Sequence, residues 1–124
     1  MQRQIKFRAW DKLAKQFTYP DKGYQGHYVL TLNGKFYNLQ NGSGGDSYIV
    51  QQYTGIKDSK GNEVYEGDIV TYNLDHTVYY QQVKWSYNGW VMEDDRGSYP
   101  LITNLPDFEV IGNTFEHPEL LRNE

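Results

Sequence analysis

The residues Glu66-Gly67-Asp68-Ile69-Val70-Thr71-Tyr72 predict a glycine-containing corner that leads into a β-branched, apolar strand. Tyr79–Trp85 follows as the longest aromatic strand, and Asn88-Gly89 turns the chain back through Trp90-Val91-Met92. Alternating residues around an Asn-Gly pair are typical of a β-hairpin. The order of corner, strand, hairpin, short segment and closing strand predicts a small SH3-like barrel.

The N-terminal half also alternates with the period of a β-strand. Ile5–Trp10 is expected to form a first strand with an apolar face and a basic face, the basic one carrying Lys6 and Arg8. Tyr28–Leu39 is expected to form a hairpin around Asn33-Gly34, where both turn positions require positive φ.

Helical periodicity is almost absent, apart from a single helical turn expected at Pro118–Arg122. The predicted fold class is therefore mainly β, or at most a β-rich α+β fold. Residues 1–50 are predicted to form an N-terminal β-hairpin lobe, and residues 51–124 the SH3-like barrel lobe. The low-complexity residues 40–47 predict a surface loop or a joint between the lobes.

Composition excludes several classes of protein. Twelve Tyr, five Phe and three Trp in 124 residues supply enough packing area to exclude compositional disorder. A formal charge of −4 argues against a general nucleic-acid-binding face. The absence of cysteine indicates a reducing compartment, and no apolar run approaches the ~18 residues of a membrane span. Met1–Gln4 does not open a signal peptide, so we expect a cytoplasmic protein without a membrane partner.

No segment carries a catalytic or ligand-binding motif. The glycine-rich residues 42–45 lack the Gly-Lys-Ser/Thr run that opens the helix of a P-loop. Asp58–Glu63 has Lys60 and Glu63 where a calcium loop needs an oxygen ligand and a glycine, which favours an Asp-initiated turn. His27, His76 and His117 are dispersed, and no nucleophile elbow is present. The sequence therefore predicts no catalytic residue, no metal site and no cofactor.

Acidic residues cluster at Glu63, Glu66 and Asp68 and again at Asp94-Asp95. Paired carboxylates can serve acid–base chemistry or a hard metal ion. We expect Asp68 to accept hydrogen bonds from turn amides, and Asp94-Asp95 to be solvated acids of a turn.

Aromatic residues concentrate in the strand after the corner and in the following hairpin. Most of these rings are expected to fill the core and cross-strand pairs, although similar rings also stack on bases in nucleic-acid-binding domains. An exposed remainder would suit a protein–protein surface. The candidate interaction surface is Tyr72, Tyr80, Tyr87 and Trp90.

Several blocks of the sequence resemble the YopX family. These blocks are Ile5–Asp11, Gln52–Asp58 with Gly61, Val64–Val70, and Phe108–Asn113 followed by Pro118–Leu121. They span nearly the whole chain in the family's order, except for residues 23–47. The resemblance implies a small phage- or prophage-encoded cytoplasmic protein with a mostly β fold, no established activity and no known catalytic residues. The turn positions expected to be structural are Gly55, Gly61, Gly67, Asp68 and Gly112.

The leading functional hypothesis is a non-enzymatic module that binds a host or phage protein. A nucleic-acid-binding protein with an aromatic β face and a small phage enzyme are the alternatives. Val29, Tyr37 and Leu39 would form a second, apolar face on the hairpin, which either the C-terminal barrel or another copy of the chain would cover. Of these two, a homo-oligomer built through the N-terminal half is expected.

Overall fold

The structure, a computed structural model, describes residues 4–20, 28–39, 42, 44–87, 89–102 and 104–122. Predictions that involve His27, Asn88 and positions 40, 41 and 43 of the glycine-rich loop lie outside the described residues. The chain divides into two compact units, Met1–Tyr53 and Thr54–Glu124.

Strands dominate the described residues. They are β1 (Phe7–Asp11), β2 (Gln16–Thr18), β3 (Tyr28–Leu30), β4 (Phe36–Asn38), β5 (Tyr48–Lys57), β6 (Glu63–Tyr65), β7 (Asp68–Leu74), β8 (Thr77–Ser86), β9 (Gly89–Asp94), β10 (Gly97–Pro100) and β11 (Glu109–Asn113). The helical elements of the same residues are single 3-10 turns at Gly45–Ser47 and Pro118–Arg122. The mainly β fold class and the C-terminal helical turn are confirmed.

In the first unit, β1 lies between β2 and β5 and pairs antiparallel with both. The expectation of an exposed basic face on this strand is wrong for Arg8, which is buried. Its Nε donates a hydrogen bond to Gln51 Oε1 at 3.0 Å, and its guanidinium carbon lies 4.0 Å from the centre of the Phe17 ring. Arg8, Ala9 and Trp10 are consecutive and all buried, so both faces of β1 are covered there and alternation does not separate core from solvent.

The β3–β4 hairpin forms where it was expected, but its turn differs. Gly34 has φ 87°, whereas Asn33 does not have positive φ. The amides of Gly34 and Lys35 bond within a wider turn that starts at Thr31. Only one left-handed residue is needed because this turn is longer than the two-residue connection that Asn-Gly favours.

The two faces of this hairpin have different surroundings. Tyr28, Leu30 and Phe36 pack with Ala9 and Tyr48 in the core of the first unit. The opposite face carries exposed apolar residues, namely Val29, Tyr37 and Leu39.

In the second unit, five antiparallel strands follow the order β10-β9-β8-β7-β11 and curl into a half-barrel. The core on its concave side consists of Val64, Val70, Tyr72, Val83, Met92, Leu101 and Phe108. The antiparallel order agrees with the small barrel expected from the sequence, whose SH3-like detail stays a prediction.

The corner before β7 depends on Gly67 and Asp68. Gly67 has φ 85°, its amide donates to Val83 O at 2.8 Å, and its carbonyl accepts from Thr114 N at 2.9 Å. Asp68 is buried, and its Oδ2 accepts the Tyr65 amide at 2.7 Å. The corner therefore joins the entry of β7 to β8 and to the segment after β11.

The other glycines of the family blocks have separate roles. Gly55 and Gly61 have φ of 88° and 84°, with open space beside them. Gly112 does not form a turn, contrary to expectation, but lies within β11 at a register shift. A Cβ there would come within 2.8 Å of His117 Nδ1, so this position requires glycine because of space.

The side chain of Asp58 forms hydrogen bonds that join β11 to the turn between β5 and β6. Its Oδ1 accepts the amides of Lys60 at 2.9 Å and Asn62 at 2.8 Å. Its Oδ2 accepts the amide of Val110 at 3.0 Å. The turn was predicted from the sequence, whereas the bond to β11 was not.

Candidate interaction surface

Tyr72 is not part of a surface. It is 3% exposed and points into the core of the second unit, where its ring stacks on Tyr79 at 5.0 Å between centroids. Its hydroxyl donates to Gln81 Oε1 at 2.6 Å. Burial, with smaller contributions from neighbouring acidic groups, raises the pKa of Tyr72 to about 12, so the phenol stays protonated at physiological pH. Tyr72 is therefore removed from the candidate interaction surface.

The bond from Tyr72 continues into a polar chain. Gln81 Nε2 donates to Asp94 Oδ2 at 3.0 Å, and Arg96 donates to the same oxygen at 2.8 Å. Asp94 Oδ1 accepts the Arg96 backbone amide at 2.8 Å. Burial acts to raise the pKa of Asp94, but the hydrogen bonds from Arg96 and Gln81 outweigh it and lower this pKa below its ordinary value. Asp94 is thus not the solvated turn acid expected from the sequence, because it faces a buried glutamine.

Aromatic side chains are exposed where the β8–β9 hairpin ends. Trp85 is 61% exposed and Tyr87 is 99% exposed. Trp85 and Trp90 are directly paired across the strands, with ring centres 4.9 Å apart in an edge-to-face arrangement. We call Trp85, Tyr87 and Trp90 the aromatic end.

The aromatic end continues a row of core residues. Val83 and Met92 form the next cross-strand pair on the same face of the hairpin, and both are buried. The row that begins in the core therefore continues through the half-buried Trp90, which packs against that core, to the exposed Trp85. The surface predicted from the sequence did not include Trp85, whose exposure follows from where the core ends along this row.

Tyr80 lies on the opposite face of β8 from Tyr79 and lines a separate cavity. The cavity has a volume of about 350 Å³ and is formed by β8, the β9–β10 turn and the C-terminal 3-10 turn. Its lining residues are Thr77, Val78, Tyr80, Asp94, Asp95, Arg96 and Leu121. Of the predicted set, Tyr87 and Trp90 therefore lie at the end of the β8–β9 hairpin, whereas Tyr80 lines the cavity and Tyr72 lies in the core.

Charge differs strongly between the units. Residues 54–124 contain thirteen acidic residues and five lysines and arginines, which gives a formal charge of −8. Residues 1–53 contain three acidic and seven basic residues, which gives +4. The aromatic end and the cavity both belong to the acidic unit.

The described part of the chain offers neither a cluster of metal ligands nor a membrane-spanning helix. Its histidines and carboxylates include no group of three or more that could hold a metal ion. None of its helices is long and apolar enough to cross a membrane.

Comparison with known proteins identifies the family. A family model described as YopX protein matches residues 6–122. The chain belongs to the YopX family. This YopX-family chain matches no curated protein.

Two solved structures share the YopX-family fold seen here. Protein EF1440 from Enterococcus faecalis is 22% identical, with a TM-score of 0.64, over 97% of this chain and 99% of that one. Protein yopX from Bacillus subtilis is 18% identical, with a TM-score of 0.63, over 97% and 99% of the two chains. At these identities the similarity shows the fold alone. The resemblance to the YopX family is thus confirmed.

Proposed function

We propose that this YopX-family protein is a non-enzymatic protein-interaction module, encoded by a phage or prophage and active in the cytoplasm of a bacterial host. The observation that supports the proposal is the exposure of Trp85 and Tyr87 at the aromatic end. Trp and Tyr are the residue types that most often dominate the energy of protein–protein interfaces.

The geometry of the aromatic end suits a rigid contact. The Trp85 ring is held against Trp90 by an edge-to-face contact, and both residues stand on paired strands. A ring held in this way loses little conformational freedom on binding, which favours affinity. The rings project from a supported hairpin and can enter a pocket of a partner.

Charge indicates the chemistry of the partner. The acidic unit that carries the aromatic end would attract a basic protein surface and accelerate its association. The same charge would repel the phosphates of a nucleic acid. We therefore propose a partner protein, from the host or the phage, with a basic surface around an apolar pocket.

The proposal is tested with a photo-reactive amino acid in place of Tyr87. A cross-linked partner is identified and purified, and its affinity is measured by calorimetry. Trp85→Ala should weaken binding at least about tenfold, because truncating a central aromatic residue typically has an effect of this size. Tyr99→Ala is the matched control, since Tyr99 is an exposed ring of the same unit outside the aromatic end. Equal affinity of wild type and Trp85→Ala would contradict the proposal.

We also propose that copies of the chain associate through the outer face of the β3–β4 hairpin. Val29 and Tyr37 are paired directly across its strands, and Leu39 is 63% exposed beside them. A two-stranded hairpin is marginally stable unless its apolar faces are covered. A second copy could cover this face with the same residues, in a closed dimer.

A further inference from the structure

We propose that the cavity in the second unit binds the cationic side chain of an arginine or lysine from a basic partner. This inference rests on the proposed function, since it specifies what the partner presents. It concerns a site separate from the aromatic end. The observations that carry it are the size of the cavity, the two aliphatic residues Val78 and Leu121 in its lining, and the one lining carboxylate that is not paired with Arg96.

The size and walls of the cavity suit a long side chain. Its volume of about 350 Å³ is at the lower limit of small-ligand sites. Val78 and Leu121 provide apolar surface for an aliphatic stem. Tyr80 belongs to the same lining, and a tyrosine ring is a residue type that can contact a cation.

The cavity lining has three charged residues, and two of them, Asp94 and Arg96, form an ion pair with each other. Asp94 accepts bonds from Gln81, from the Arg96 side chain and from the Arg96 amide. The guanidinium of Arg96 is thereby paired, and its carbon also lies 4.9 Å from the centre of the Tyr79 ring. Asp94 and Arg96 together contribute no net charge that would attract a ligand.

Asp95 is the third charged residue of the cavity lining. It is exposed at the cavity, and it forms no hydrogen bond or ion pair with any other residue in the described ranges. An anion would meet this carboxylate inside a unit of formal charge −8. A cation would gain a charge-assisted hydrogen bond from it. The cavity therefore selects a positive group at the end of an aliphatic stem.

The test uses acetyl-arginine-amide as the probe, with acetyl-citrulline-amide as its uncharged isostere. Amide chemical shifts of the ¹⁵N-labelled full chain are followed during titration. We expect the arginine probe to shift Thr77, Val78, Asp95 and Leu121 and to saturate with a Kd of about 1 mM, a usual affinity for a ligand of this size. The citrulline probe should leave these signals unchanged.

Two variants distinguish a site from general attraction to an acidic surface. Asp95→Asn should weaken the arginine probe at least about fivefold, because it removes the charge-assisted bond. Asp107→Asn removes the same charge from an exposed turn outside the cavity and should leave the affinity unchanged. Equal weakening by both variants, shifts spread over the acidic unit, or no shifts would each overturn the inference. Because no partner protein is present, this result is independent of the cross-linking test at Tyr87.

Discussion

Replacing Asp58 with alanine should lower the free energy of unfolding by about 2–4 kcal/mol. The carboxylate is 6% exposed and accepts three backbone amides, those of Lys60, Asn62 and Val110. The first two amides belong to an exposed turn and can bond to water after the change. Val110 lies half-buried in β11, so its amide would lose its partner. A hydrogen bond to a charged group contributes about 1.5–3 kcal/mol, and an unsatisfied donor adds its own desolvation cost.

Urea unfolding followed by tryptophan fluorescence measures this change, since Trp85 and Trp90 report on the second unit. Asp95→Ala is the control, because it removes the same side chain from a turn where it makes no bond to a described residue. Its effect should stay within about 0.5 kcal/mol. A loss below about 1 kcal/mol for Asp58→Ala would refute the idea that this carboxylate holds β11.

The same bonds predict a dependence on pH. Burial acts to raise the pKa of Asp58, but the amides of Val110, Asn62 and Lys60 together lower it below its ordinary value. The folded pKa is thus below the unfolded value of about 3.9, so this stabilisation is complete above that pH and is lost as pH falls through the folded pKa. Asp58→Asn should therefore be less stable than wild type at pH 7, and this difference should shrink below about pH 4.

Three further predictions concern the corner, the hairpin and nucleic acid. Gly67→Ala should destabilise the protein by about 1 kcal/mol or more, because φ is 85° there, and an unchanged melting temperature would count against this. Light scattering at micromolar concentration should show a homo-oligomer that the double change Tyr37→Ser and Leu39→Ser converts to a monomer, whereas a monomeric wild type would exclude association through this face. Affinity for single- or double-stranded DNA at physiological salt should be weaker than roughly micromolar, and tight, salt-sensitive binding that is lost on replacing Tyr80 or Trp90 would favour the nucleic-acid alternative.

Local patterns predicted the strands of the second unit well. Alternation along Tyr79–Trp85 and the turn after it is a short-range signal, and the structure has β8 and β9 paired there. The bond from Asp58 to Val110 joins residues 52 positions apart, and no local pattern encodes it. The β8–β9 hairpin could therefore be predicted from neighbouring residues, whereas the long-range bond from Asp58 to Val110 could not.

The candidate surface shows why exposure was harder to predict than strands. Tyr72 and Tyr79 are paired across β7 and β8, so they share a face, and Tyr80 points to the opposite one. The sequence predicted both strands, but no local pattern in it gives the register of β7 against β8. Without that register, the sequence does not show that Tyr72 and Tyr80 point to opposite faces of the sheet. Pairing register, rather than residue type, decides which tyrosine is exposed.

The formal charge of −4 is the sum of +4 in the first unit and −8 in the second. The argument against nucleic acid applies to the aromatic end because its unit is acidic, but it does not apply to residues 1–53. There, Arg8 is buried and Lys35 is paired with Asp46 at 3.0 Å, whereas Lys12 and Lys15 are exposed in the β1–β2 turn. Any weak, salt-sensitive binding of DNA should therefore respond to changes at Lys12 and Lys15 and not to loss of the aromatic end. Such a result would separate general attraction by the first unit from base stacking by the second.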